Sequence, residues 1–170
     1  MDEAGFWKLI DASRADGKGD FGAQAESLTR RLTKLLAAEI GEFDRIYREH
    51  VAAAYTWDLW GAAYLINGGC SDDAFDYFRD WVISKGRAVY EAALRAPDSL
   101  AGVVTDEDIE ECCEFEELRY AASQAWEQVA DGEMPNEDGP RHPAEPSGTP
   151  WNEDMAELAR RFPKLAARFA

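Results

Sequence analysis

A chain of 170 residues with 34 acidic and 18 basic side chains carries a formal net charge of −16, which repels phosphate backbones and anionic membrane surfaces and argues against both as partners. With 46% hydrophobic residues it is long enough to bury one core without disulfides or a structural metal. No run of eighteen apolar residues exists, so no transmembrane helix is expected, and the acidic start Met1-Asp2-Glu3-Ala4 lacks a secretory leader's basic-then-apolar pattern. Cys70, Cys112 and Cys113 are an adjacent pair and one left over, a poor disulfide framework that points to a reducing bacterial-type cytoplasm.

Residues 2–15 predict a helix with Phe6, Leu9 and Ile10 on one face and Trp7 beside them. Gly17-Lys18-Gly19-Asp20 reads as a turn. A longer helix follows to about residue 38, with Leu28, Leu32, Leu35 and Leu36 at spacings of three and four. Residues 39–54 repeat the pattern through Ile40, Phe43, Ile46, Tyr47 and Val51, and Gly41 is the expected break between the two.

The segment 56–66 is apolar on almost every side, the mark of a buried helix, and at eleven residues it is far short of the roughly 20 a membrane span needs. Asn67-Gly68-Gly69 offers the left-handed conformations that close helices. Ser71 then caps a new helix, with Asp72 and Asp73 in its positive first turn. Phe75, Phe78 and Val82 recur at helical spacing with Trp81 beside them, so the stretch predicts two helices folded back as an aromatic-rich hairpin. Gly86 interrupts the second arm before Ala88, Val89, Ala92 and Ala93 resume an apolar face, and Pro97 ends it.

Thr105 is the expected cap of a last long helix, with Asp106, Glu107 and Asp108 in its first turn and Phe115, Leu118, Ala122, Ala125 and Val129 as a buried stripe. Residues 131–150 hold five of the seven prolines and three glycines, which predicts an extended connector. Trp151, Leu158, Phe162, Leu165 and Phe169 then anchor residues 151–170 back onto the body, with Pro163 starting a second short turn of helix. This last segment is slightly basic through Arg160, Arg161, Lys164 and Arg168, so the remainder is more acidic than the whole. The expectation is an all-α, bundle-like globule of about seven helices, with no alternating strand and no repeat. It is organised as a core at 1–130, a connector at 131–150 and a docked segment at 151–170.

Several stretches resemble a bacterial family. Phe6-Trp7-x-Leu9-Ile10, then Ala62-Ala63-Tyr64-Leu65-Ile66-x-Gly68-Gly69-Cys70-Ser71-Asp72-Asp73, then Phe75-x-Tyr77-Phe78-Arg79-x-Trp81-x-Ile83-x-x-Gly86-Arg87 are similar to the domain-of-unknown-function family 4240, and Pro97-Asp98-Ser99-Leu100-Ala101 continues the likeness. It covers roughly residues 2–130. The resemblance implies a bacterial, intracellular, mainly helical protein and supplies no catalytic residue.

Asp58, flanked by Trp57, Trp60 and Tyr64, is the residue that most invites a functional reading. A carboxylate in a buried helix requires a partner, and Arg79 or Arg87 is the candidate. A structural Asp–Arg bridge is the plain outcome; without it, aromatic walls around a carboxylate suit a cationic ligand. Trp57, Asp58, Trp60, Tyr64 and Arg79 are therefore the candidate ligand-binding set. Glu107, Glu110, Glu111, Glu114 and Glu117 have helical spacing, and Glu107, Glu111 and Glu114 fall near the face of Phe115 and Leu118, where carboxylates need a partner or a metal. A di-iron site would also need Glu-x-x-His, which is missing, and His50 and His142 lie elsewhere, so a solvated acidic face is the better reading.

Cys112-Cys113 sits among acids that make thiolates scarce, and on a helix the two side chains would diverge, so the pair reads as structural. Cys70 lies at a helix start but has no histidine nearby to activate it. Gly68-Gly69 before a helix resembles a phosphate cradle, but no lysine follows and Asp72-Asp73 would repel phosphate. No cofactor is expected. The absent catalytic sets lean against an enzyme and favour an acidic, non-catalytic module that engages a basic protein, as an inhibitor or immunity-type protein would. The alternative is a small-molecule-binding protein or enzyme with a pocket lined by Trp57, Asp58, Trp60 and Arg79.

Overall fold

Capping side chains set many of the helix starts in the computed structural model, which describes residues 1–130, 132, 134–135, 143–152 and 154–170. Asp2 accepts from the Gly5 amide at 2.8 Å to open α1 (Glu3–Gly17), and Asp20 accepts from the Ala23 amide at 2.7 Å to open α2 (Phe21–Leu32). Lys18, at φ 52, makes the turn between them. A Cβ on Gly17 would lie 2.8 Å from that of Gln24, so the glycine lets α1 and α2 approach closely.

The next break falls earlier than the sequence reading put it. α2 ends at Leu32 and α3 (Ala37–Ala53) begins after Leu36, while Gly41 sits inside α3 with open space around it. The reversal is closed instead by backbone bonds from Lys34 to Arg31 and from Leu35 to Leu32, and by Glu39 reaching back to the Leu36 amide at 3.1 Å. A helical glycine costs only about 1 kcal/mol, which surrounding packing can absorb.

α4 (Trp57–Asn67) is capped by Thr56 and closed by Gly68 at φ 67; α5 (Asp72–Ser84) is capped by Ser71. Gly86, at φ 88, separates α5 from α6 (Arg87–Arg95), and Pro97 opens a 3₁₀ turn (Pro97–Gly102). The predicted last long helix is two helices, α7 (Asp106–Glu110) and α8 (Glu117–Val129), and Val129 is exposed rather than part of the buried stripe. The C-terminal segment forms α9 (Met155–Arg161) and α10 (Pro163–Phe169). The fold is all-α: ten α-helices and one 3₁₀ turn among the described residues, with no strand there. The number exceeds seven because the anticipated breaks at Gly86 and Pro163 separate full helices and because the turn at Cys112-Cys113, which the sequence did not announce, divides the last long helix.

α5 lies at the centre. Phe75, Phe78, Trp81, Val82 and Ile83 are fully buried, and α5 packs on α1, α3, α6 and α8. α4 is less a partner of α5 than the hairpin reading held: it packs more extensively against α9, α10 and the 3₁₀ turn. Gly61 permits this, since a Cβ there would lie 3.0 Å from both Leu158 and Phe162. Residues 143–150 run without helix, and Ser147 pairs with the backbone of Tyr55 and Trp57 at 3.0 and 2.9 Å. The rest of the expected connector, His142 included, falls largely outside the described residues. No described helix is long and apolar enough to cross a membrane.

Candidate functional site

The acidic stretch that follows Thr105 builds one wall of a cleft because its helix stops after a single turn. Thr105 accepts from the Asp108 amide at 3.2 Å, and the Asp108 carboxylate returns to the Thr105 amide at 3.0 Å, a closed capping box. Cys112 and Cys113 then both adopt left-handed backbone, at φ 53 and 51, and the Cys113 amide reaches the Asp108 carbonyl at 2.7 Å. The pair is thus a helix stop and not two adjacent positions on a helix, as the sequence had suggested. The chain reverses into Phe115, whose amide bonds the Tyr77 carbonyl at 3.1 Å and whose ring stacks on Phe21 at 4.7 Å.

This reversal spreads the glutamates around a cleft of about 520 Å³ instead of stacking them on one helix face. Glu107, Glu110 and Glu111 come from α7 and its end, Glu114, Glu116 and Glu117 from the approach to α8 and its start, and Asp20 from the α1–α2 turn opposite. Phe21 and Tyr77 are the aromatic part of the lining. Among the described residues no lysine or arginine forms an ion pair with any of these seven carboxylates. Partial burial pushes the Glu114 carboxyl up from its ordinary range. Glu107 and Glu111 are both exposed and do not turn inward toward Phe115 and Leu118. Among the described residues no cluster of three histidine, cysteine or acidic side chains is arranged to hold a metal ion.

Behind the cleft, Asp108 is buried and accepts from Trp81 Nε1 at 2.9 Å and Lys85 Nζ at 2.5 Å. Burial works to raise its pKa, but the bonds from Lys85, Trp81 and Thr105 outweigh burial and hold the carboxyl below the usual range. The Lys85 ammonium lies 5.6 Å from the Phe21 ring centroid, and the Arg119 guanidinium 4.9 Å from that of Tyr77. Both aromatic residues of the cleft therefore already hold a cation against one face. Burial, chiefly, pushes the Cys70 and Cys113 thiols each up to about 12, which makes their thiolates scarce.

The five residues proposed around Asp58 are not gathered into one site. Asp58 is exposed and meets Arg161 of α9 at 3.0 Å, not Arg79 or Arg87. Arg87 pairs with Glu91 at 2.6 Å. Arg79 is fully buried, bonded to Asp76 and, at 2.8 Å, to the Val51 carbonyl, with its guanidinium over the Tyr55 ring. Trp57, Trp60 and Tyr64 do share a face. Trp57 stacks on Trp60 at 5.6 Å, Trp151 packs edge-on to Tyr64 at 5.2 Å, and Trp151 Nε1 donates to the Trp57 carbonyl at 2.6 Å. In this structure the tryptophans hold the C-terminal segment.

Residues 1–128 match the model of a family described as Protein of unknown function (DUF4240). The chain belongs to that family. No curated protein and no solved structure matches it. Every residue that lines the acidic cleft lies inside the DUF4240 match, whereas Trp151 and Arg161, which clasp the face of α4, lie beyond it. The cleft was hidden from the sequence because its glutamates were read on a continuous helix. Only the consecutive left-handed cysteines reveal the reversal, and no residue-type rule marks a cysteine for that conformation.

Proposed function

We propose that this DUF4240 protein is a non-catalytic binding module of the bacterial cytoplasm whose acidic cleft receives a basic segment of another protein. An inhibitor or immunity-type protein would act this way. The carrying observation is the cleft's seven carboxylates, none of them ion-paired with a lysine or arginine among the described residues. Like charges held together without a direct ion-pair partner raise the local negative potential, and a cationic partner relieves it. The −16 net charge accords with a basic partner.

The test is co-purification from the host at two ionic strengths, with the native chain and with Glu110→Gln/Glu111→Gln/Glu114→Gln. Between about 0.1 M and 1 M salt the Debye length falls from ~10 Å to ~3 Å. A basic protein should be retained at the lower salt, released at the higher, and lost with the triple variant. Retention that ignores both salt and the three substitutions overturns the reading, as does the absence of any partner.

A further inference from the structure

A second, half-open cavity, sharing no residue with the acidic cleft, lies among α3, α5 and α8 and has a volume of about 330 Å³. That volume falls within the ~300–1,000 Å³ of small-molecule sites. Its walls carry three acid–arginine pairs. Asp44 and Arg48 pair along α3 at 2.8 Å, Asp76 and Arg79 along α5, and Asp80 of α5 meets Arg119 of α8 at 2.7 Å. Val51 and Ala52 supply the apolar part of the lining.

Arg79 and Asp80 are both fully buried beside this cavity. Withdrawing such ionisable groups from water is costly, and apolar side chains of the same size would hold three helices together at least as well. Stability alone does not account for them. The charges also sort by accessibility: Asp76 and Arg119 remain partly exposed while their partners are sealed. Asp80 engages two nitrogens of Arg119, and a guanidinium carries five N–H donors. Carboxylates, likewise, accept more bonds than one partner uses.

With Arg79 and Asp80 sealed, the more accessible charged groups on the wall are two acids, Asp44 and Asp76, and two guanidiniums, Arg48 and Arg119. A purely anionic ligand there lies beside Asp44 and Asp76, and a purely cationic one beside Arg48 and Arg119. A small molecule bearing both signs avoids this conflict. We propose that the cavity binds a free amino acid as a zwitterion, its carboxylate on Arg48 and Arg119 and its ammonium on Asp44 and Asp76, with the side chain against Val51 and Ala52.

The test is thermal melting and titration calorimetry of the full chain against the common free L-amino acids, with propionate and propylamine as single-charge controls. At least one amino acid should raise Tm saturably by several degrees while neither control does. Ala52→Trp, which fills the cavity without touching an ion pair, should abolish the effect while leaving the helical circular dichroism unchanged. Should that variant not fold, Arg48→Gln decides, with an expected affinity loss of roughly tenfold or more. The proposal is overturned if no amino acid binds, if propionate or propylamine binds as well as the amino acid, or if binding survives the substitution.

Discussion

Asp80 accepts the Tyr47 hydroxyl on one carboxylate oxygen and the Arg119 guanidinium on the other, the latter at 2.7 Å, so one buried acid on α5 joins α3 to α8. Burial pushes its pKa up to about 7, against the opposing pull of Arg119 and of the Tyr47 bond. The phenol of Tyr47 is driven well above its ordinary range, first by burial and then by the Asp80 charge, so it stays the donor.

A pH dependence follows from Asp80. In the unfolded chain the group ionises near ~3.9, whereas in the folded chain it keeps its proton to about 7. Between those values the native state binds the extra proton, so the contribution of Asp80 is fully present at the acid end and declines as pH rises through 7. Other carboxylates titrate in the same window, so the comparison is a difference. The stability of the native chain minus that of Asp80→Asn should fall from pH 4 to pH 7, measured by urea unfolding. A difference that is flat or rises over that range contradicts the assignment.

Asp108 should behave with the opposite sign. Its carboxyl is held below the usual range, so its contribution is present above the unfolded value and lost as pH falls through the folded one. Replacing it with alanine strands Trp81 Nε1 and Lys85 and opens the Thr105 capping box. A broken buried pair costs ~3–5 kcal/mol, so Asp108→Ala should lower unfolding stability by about 3 kcal/mol or more at neutral pH. A loss under about 1 kcal/mol would show that water replaces the carboxylate freely.

The turn after α7 explains both what could be read in the sequence and what could not. Thr105, Ser71 and Gly68 announce helix ends through side-chain acceptors and left-handed glycine, which are local chemistry, and each does what its residue type implies. Cys112 and Cys113 occupy the same backbone region against their type, held by the Cys113 amide on Asp108 and by Asn67, whose Nδ2 donates to the Cys112 carbonyl at 2.8 Å. The Cys113 bond is local, but the Asn67 contact spans 45 residues in sequence and the bond from Arg79 to the Val51 carbonyl spans 28. Helical periodicity located the apolar cores of most segments. It was silent on which arginine meets which aspartate, because Arg161 lies 103 residues from Asp58.

Strain at that turn is measurable. An L-residue in the left-handed region costs roughly 1–2 kcal/mol, and glycine avoids it at some cost in unfolded-state entropy. Cys112 is exposed, and the Asn67 bond uses its backbone, so the side chain is dispensable to the contact. Cys112→Gly is expected to stabilise the fold by about 0.5–1 kcal/mol. Chemical denaturation with an unchanged m-value would register it, and a destabilised variant would mean the Cys112 side chain packs in solution.

Gly61 offers control over the C-terminal segment. A side chain there would press on Leu158, Phe162 and, at 3.1 Å, on Trp151 Nε1, the group that donates to the Trp57 carbonyl. Gly61→Leu improves helix propensity within α4 by about 0.8–1 kcal/mol, so any loss must come from contacts outside that helix. Displacing α9 also breaks Arg161 from Asp58, and moving α10 frees the Lys164 and Leu165 amides from the Asp98 carboxylate, each now at 2.9 Å. The expected outcome is a chain that keeps most of its helical signal, melts at lower temperature and is cleaved by trypsin at Arg160, Arg161, Lys164 or Arg168 under conditions that spare the native chain. If α9 and α10 resist protease in the variant as they do in the native chain, the close approach at Gly61 is not what holds them, and the Asp98 and Asp58 contacts carry the docking instead.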